Sequence, residues 1–119
     1  MRKARQWFAT FSAQTPADMP PMGSQENAYL RMVTSYWDMA AAFVTSGVLN
    51  EDLFLQTNGE LLFVWEKVKD TVPQVRANNK NPNYLKNLEI VGNAAIKRMP
   101  AEAYQAFSNM VKGVAAAGR

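Results

Sequence analysis

The sequence predicts an all-α protein: a four- to five-helix bundle preceded by an N-terminal helical arm and a Pro-rich strap. Apolar residues recur every three or four positions in several segments, and typical helix-starting and helix-ending residues separate those segments. No stretch alternates apolar and polar residues for long enough to predict a strand. The 119 residues are 48% hydrophobic and 19% charged, which suits one globular domain. We divide the chain into an arm and strap, residues 1–23, and a bundle domain, residues 24–119.

The N-terminal unit combines a short amphipathic helix with an extended segment. A helix over residues 2–13 places Trp7, Phe8 and Phe11 on one side. The following segment, Thr15 to Gly23, contains three prolines, which exclude a helix interior and favour a polyproline-like conformation. Such a helix and strap can fold back onto the core of the protein or dock onto a partner.

The first long helix is predicted to begin after Ser24, a good N-cap, and to end near Ser46, before Gly47. Trp37 lies about 100° round the helix from the predicted core face. It therefore either meets a second helix or is exposed for a partner. The core face is predicted to consist of Tyr29, Met32, Val33, Tyr36, Ala40, Phe43 and Val44.

Shorter helices are predicted in the rest of the chain. Asn50 caps one of them, and the Asn58-Gly59 pair marks a break before a helix over residues 60–72. Asn81 is expected to cap a helix over residues 82–97, with a proline at its first position. Pro100 begins the last helix.

The chain has neither cysteine nor histidine. Nucleophile pairs that use histidine are therefore excluded, and zinc, copper and haem sites lose their usual ligands. Three nearby carboxylates, Glu51, Asp52 and Glu60, could bind a hard metal ion. We interpret them instead as first-turn residues that stabilise helix dipoles. We predict no catalytic residue, no metal site and no cofactor, and thus a protein that is not an enzyme.

Charge is unevenly distributed along the sequence. Residues 16–72 carry three basic and eight acidic side chains, whereas residues 73–119 carry seven basic and two acidic ones. The basic residues are scattered rather than clustered, so we expect the acidic and basic parts to pack against each other and predict no nucleic-acid binding. No apolar run approaches the length of a membrane span, and we predict a cytoplasmic protein.

Part of the sequence is similar to a known group of domains. The chain reads Tyr36-Trp37-Asp38-Met39-Ala40, then Ser46-Gly47-Val48-Leu49-Asn50-Glu51-Asp52-Leu53-Phe54, and finally Asn58-Gly59 before Trp65. Over about residues 29–65 it resembles uncharacterised bacterial helical domains of unknown function, in which such a turn joins two helices. The resemblance implies a helical fold and transfers no catalytic residue.

These observations predict a non-catalytic interaction or accessory module that docks onto a larger protein partner or assembly. A homo-oligomer is a further possibility, and contact with a membrane surface is ranked below both because the N-terminal helix is short. The alternative function is a helical bundle that binds a small apolar ligand or a lipid. The predicted partner-binding residues are Trp7, Phe8, Phe11, Met19, Pro20, Pro21, Met22 and Trp37.

Overall fold

A computed structural model describes residues 1–12 and 18–117 of the chain, with side chains up to residue 113. These residues form seven helices and no strand, so the all-α prediction is confirmed. The count of four or five helices is not confirmed, because three short helices occupy residues 51–79. The helices are α1 (Arg2–Thr10), α2 (Gln25–Thr45), α3 (Glu51–Thr57), α4 (Glu60–Val68), α5 (Val72–Asn79), α6 (Lys86–Lys97) and α7 (Ala101–Ala117).

One hydrophobic core joins the helices. Helix α2 packs against α1 and α6, and α4 packs against α6 and α7. Helix α1 also contacts α7 and buries Ala4 and Phe8 in the common core. The helix predicted as an N-terminal arm is thus packed with the bundle rather than separate from it. The largest fully buried hydrophobic side chains are Phe8, Val33, Leu61, Val64, Val72, Leu88 and Val91.

Several local signals act as predicted. The Ser24 hydroxyl accepts a hydrogen bond from the Asn27 amide at 3.1 Å and caps α2. The Asn50 side-chain oxygen accepts one from the Leu53 amide at 3.0 Å and caps α3. Gly47 follows α2 with φ of 87°, the left-handed conformation that glycine adopts without a steric penalty.

The predicted core face of α2 is wrong in part. Val33 is buried, but Met32, Tyr36 and Phe43 are each more than two-fifths exposed. The buried face is Leu30, Val33, Thr34, Trp37 and Ala41, which lies roughly one residue further round the helix. Helix α2 carries two apolar stripes, and the neighbours α1, α4 and α6 cover only one of them.

The start of α6 also differs from the prediction. The helix begins at Lys86 rather than at residue 82, because Leu85 adopts a left-handed conformation with φ of 53°. The cap comes from another helix. The Asp38 carboxylate in α2 accepts a hydrogen bond from the Leu88 amide at 2.9 Å, in the first turn of α6.

The predicted strap, Thr15 to Gly23, lies partly outside the described residues. In the described part, the Pro20 carbonyl accepts a hydrogen bond from the Asn27 side chain, and the Pro21 carbonyl accepts one from the Ser24 hydroxyl. This segment is therefore joined to the first turn of α2.

Candidate functional site

A buried lysine joins α4 to the C-terminal end of α1. The Lys67 side chain donates hydrogen bonds to the carbonyls of Phe8 at 3.0 Å, Ala9 at 2.9 Å and Phe11 at 2.6 Å. These carbonyls lie at the C-terminal end of α1, where a cation is favourable. The Phe8 carbonyl also accepts a hydrogen bond from the Phe11 amide at 3.1 Å. The ammonium group also lies 5.1 Å from the ring centre of Phe63. Lys67 thus stabilises the position of α1 on the core.

A second junction of charged and polar side chains joins α1, α2 and α4. The Arg5 guanidinium donates two hydrogen bonds to the Glu60 carboxylate, which also accepts one from the Trp37 indole at 3.3 Å. This contact accounts for Trp37, which meets a second helix and is only 7% exposed. Of the two placements that its sequence position left open, the structure has the buried one.

The predicted partner-binding residues divide into buried and exposed groups. Phe8 and Phe11 lie in the core of the protein itself, and Trp7 stacks on Phe11 with ring centres 4.9 Å apart. Together with Trp37, these aromatic side chains are already in contact with the chain's own helices. The predicted partner-binding residues of the strap are more accessible. Met19 and Pro20 are half-buried, whereas Pro21 and Met22 are exposed.

An exposed apolar stripe runs along α2. Met32, Tyr36, Met39 and Phe43 are 43–51% exposed, and their spacing of four, three and four residues places them on one helix face. We call these four residues the α2 stripe. No charged side chain belongs to it, and it lies on the face of α2 that is turned away from the core residues Val33 and Trp37. Such a continuous exposed apolar surface is typical of an interaction site.

The exposed hydrophobic residues of the described chain are concentrated around this helix. Beside the α2 stripe, Met22 precedes α2, and Val48, Leu49 and Leu53 follow it. The large exposed hydrophobic residues away from α2 are Met1, Ile90 and Met110. Scattered exposed hydrophobics are normal on proteins, so the concentration at α2, rather than the exposure of any one residue, makes this surface the candidate site.

A family described as Domain of unknown function (DUF4760) matches residues 1–94, more than half of the chain. The chain belongs to this family. The resemblance to domains of unknown function is thereby confirmed. Neither a curated protein nor a solved structure gives a significant match.

The DUF4760 match includes α1, the whole of α2 and the α2 stripe. It spans the predicted boundary between residues 23 and 24, so the family pattern covers the N-terminal helix together with most of the bundle. It ends within α6, and α7 lies beyond it. The candidate surface thus belongs to the matched part of the DUF4760 chain.

A buried carboxylate attaches α7 to the matched part of the DUF4760 chain. The Glu66 side chain in α4 is 4% exposed and accepts hydrogen bonds from the Tyr104 hydroxyl at 2.8 Å and the Ser108 hydroxyl at 2.9 Å. Lys69 forms an ion pair with it at 3.1 Å and also contacts the Tyr104 hydroxyl. Every group in the cluster has a partner, so we interpret it as a structural link between α4 and α7.

The cluster predicts a loss of stability in alkali. Burial raises the pKa of Tyr104 above its ordinary 10.0, Lys69 partly opposes this, and Glu66 adds to it. Burial lowers the pKa of Lys69, but its hydrogen bonds to Tyr104 and Glu66 outweigh this effect and raise it above 10.5. The folded state therefore keeps both protons longer than the unfolded state does. The free energy of unfolding should fall as the pH rises from 10 through these raised values.

Urea unfolding of the wild type and of Tyr104→Phe at pH 8 and across pH 9–11 measures this effect. The variant should lose about 2 kcal/mol at pH 8, since hydrogen bonds to a buried carboxylate are removed, and its stability should fall less steeply above pH 10. Equal slopes for wild type and Tyr104→Phe would contradict the assignment.

The three carboxylates considered as metal ligands are paired with arginines. Glu60 binds Arg5, and Arg98 bridges Glu51 and Asp52. The Arg98 pairs join the basic last third of the chain to its acidic middle, as predicted. Among the residues that the structure describes, no group of three or more metal-ligating side chains lies close together. Within the same residues, no helix is both long enough and apolar enough to cross a membrane.

The predicted core positions of Met32, Tyr36 and Phe43 are wrong, because these side chains are exposed, and Met39 was not singled out. A signal was present, because Tyr29, Met32, Tyr36, Met39 and Phe43 repeat at intervals of three and four residues, which is the spacing of a coiled-coil seam.

Proposed function

We propose that this DUF4760 chain is a non-catalytic helical interaction module that docks into a protein assembly through the α2 stripe. The observation that carries the proposal is the row of half-exposed apolar side chains on one face of a 21-residue helix. The expected occupant is an amphipathic helix of a protein partner, because a stripe at this spacing matches the apolar face of another helix. The module is expected to act in the cytoplasm.

Because α1 is part of the core, we place the docking surface on α2 and not on the N-terminal arm. Phe8 and Phe11 would have to leave the core before a partner could bind them, and Lys67 holds the carbonyls at the end of that helix. Withdrawing these aromatic side chains would expose apolar surface at a cost of about 2 kcal/mol for each of them. The α2 stripe needs no such rearrangement. Pro21 and Met22, both exposed, adjoin its N-terminal end and are included in the proposed surface.

A photo-crosslinking experiment tests the proposal. Phe43 is replaced by p-benzoylphenylalanine, which keeps an aromatic ring at the stripe, and the protein is irradiated in cells. Covalent adducts should map to one apolar helix face of a protein. Ile90→p-benzoylphenylalanine is the matched control, since Ile90 is 49% exposed on α6, compared with 46% for Phe43. Absence of adducts at position 43, or the same adducts at both positions, would refute docking through this face.

The alternative function, binding of a small apolar ligand or a lipid, is supported by a groove between α1, α4 and α7. Its volume is about 640 Å³, within the range of ligand sites. Phe63, Val64, Phe107 and Met110 line it together with Arg2, whose positive charge suits an anionic head group. In the photo-crosslinking experiment this alternative predicts no protein adduct at position 43.

A further inference from the structure

The pattern along α2 has the geometry of a seam between two helices. Tyr29, Met32, Tyr36, Met39 and Phe43 follow one another at alternating intervals of three and four residues, and Tyr29 is half-buried at the N-terminal end of the row. This repeat keeps side chains facing a partner helix over the whole length of contact. With 21 residues, α2 is about 31 Å long, which is enough for several layers of such packing.

The seam is complementary to itself when its direction is reversed. If two copies of α2 lie antiparallel, Tyr36 of one copy faces Met39 of the second copy, and Met32 faces Phe43 of the second copy. Each methionine then meets an aromatic ring, a pairing that thioether sulfur favours. A parallel arrangement would place each of these side chains against its own copy and would produce none of these mixed pairs.

We propose that the occupant of the α2 stripe is α2 of a second copy of this chain, packed antiparallel about a two-fold axis that crosses the stripe between the levels of Tyr36 and Met39. This inference rests on the proposed function, since it names the partner of the same surface. A two-fold axis makes the interface closed and isologous, the commonest arrangement among soluble oligomers.

The antiparallel arrangement also accounts for the exposed residues at the two ends of α2. Met22 precedes the helix and is 88% exposed, and Leu53 in α3 is 62% exposed. Reversal of one copy brings the start of its α2 to the end of the other, so Met22 of one copy lies beside the region of Val48, Leu49 and Leu53 of the second copy. The macrodipoles of the two helices oppose each other in this arrangement, which is favourable.

The apolar area is sufficient for a stable dimer. The α2 stripe and the four residues at its ends are each about half exposed or more. At about 200 Å² for an aromatic side chain and somewhat less for Met, Leu and Val, the eight residues offer on the order of 800 Å² per copy, which is the area that a standard protein–protein interface buries on each partner.

Small and uncharged neighbours allow close approach. Ala28, Ser35 and Ala42 flank the stripe at intervals of seven residues, so short side chains run along one border of the seam. In a helix pair this position is often occupied by charged residues that set partner choice. Here the seam contains no charged residue, so dimerisation does not bury an unpaired charge on it.

Single cysteines test both the contact and its direction, because the chain contains no cysteine of its own. Met32→Cys and Phe43→Cys are prepared separately, one of them with an affinity tag, and are treated with a short bismaleimide alone and as a mixture. The antiparallel dimer predicts cross-linking of the mixture and at least ten-fold less product from either variant alone. Ile90→Cys is the control and should not cross-link above background.

Each result has a defined meaning. Efficient cross-linking of each variant with itself would overturn the antiparallel arrangement. No cross-linking in any sample, together with a monomer up to 100 μM by sedimentation equilibrium of the wild type, would overturn self-association. In that case the proposed function is judged separately: adducts from position 43 on a different protein would sustain it, and absence of adducts would refute it as well.

Sedimentation equilibrium of Met39→Glu gives an independent measure. A carboxylate in the centre of the seam should raise the dimer dissociation constant by about thirty-fold or more, the effect expected when a central interface residue is lost. Ile90→Glu places the same charge at an equally exposed position on α6 and should leave association unchanged. An unaltered dissociation constant for Met39→Glu would contradict the proposed contact.

Discussion

The variant Lys67→Met is expected to lower the free energy of unfolding by about 4 kcal/mol, the largest effect that we predict for a single side chain. Lys67 is 8% exposed and donates hydrogen bonds to the carbonyls of Phe8, Ala9 and Phe11. Methionine has a similar length but no donor, so these acceptors at the end of α1 lose the ammonium group. The Phe8 carbonyl keeps the Phe11 amide as a donor, but a buried acceptor that loses a charged donor costs more than the hydrogen bond itself contributes.

Urea unfolding measured by far-ultraviolet circular dichroism checks this value, and hydrogen exchange locates the change. Exchange should accelerate first in the amides of α1, because that helix depends on Lys67 for its C-terminal contacts. Lys112→Met, at an exposed position of α7, removes the same charge without removing a buried contact and should change stability by less than about 0.5 kcal/mol. A loss below 1 kcal/mol for Lys67→Met would show that the junction contributes little.

The variant Gly92→Ala is expected to lose about 3 kcal/mol, near the upper end of what overpacking costs. A methyl group at residue 92 would lie 2.4 Å from Cδ1 and 2.5 Å from Cγ of Trp65. Trp65 is buried, and its indole donates a hydrogen bond to the Asn93 side chain at 3.0 Å. The ring therefore cannot move away without breaking a contact between α4 and α6.

Gly113→Ala is the matched control for this prediction. Gly113 lies within α7, and nothing stands within 4 Å of the position that its methyl group would take. The same substitution should therefore raise stability by about 0.5–1 kcal/mol, since alanine is the better helix former. Thermal unfolding of both variants measures the difference, and effects of the same sign would contradict the role assigned to Gly92.

Residues close to one another in the sequence made several features predictable. The caps of α2 and α3 by Ser24 and Asn50 use hydrogen bonds that span three residues, and Gly47 ends α2 through its own backbone conformation. The absence of histidine and cysteine is likewise a property of the sequence alone. These features depend on local chemistry, so a correct reading of neighbouring residues was enough to find them.

Other helix ends depend on residues far away in the sequence. Helix α6 takes its cap from Asp38, fifty positions earlier in the chain, and α1 takes its C-terminal partner from Lys67. No pattern around Lys86 or Thr10 indicates these contacts. The Asn81-Pro82 pair therefore suggested an earlier start for α6 than the one that Leu85 and Asp38 produce.

The candidate site also depends partly on local sequence and partly on distant contacts. The sequence establishes that α2 is a helix with apolar residues at helical spacing, because that repeat involves only residues three and four positions apart. Helix α2 carries two such stripes, one through Val33 and Trp37 and one through Met32 and Met39, and both have helical spacing, so the spacing does not tell which of them is buried. The choice between them is made by the positions of α1, α4 and α6, which cover the first stripe and leave the second exposed. Burial is a property of the assembled helices, so the exposed face of α2 follows from tertiary packing alone.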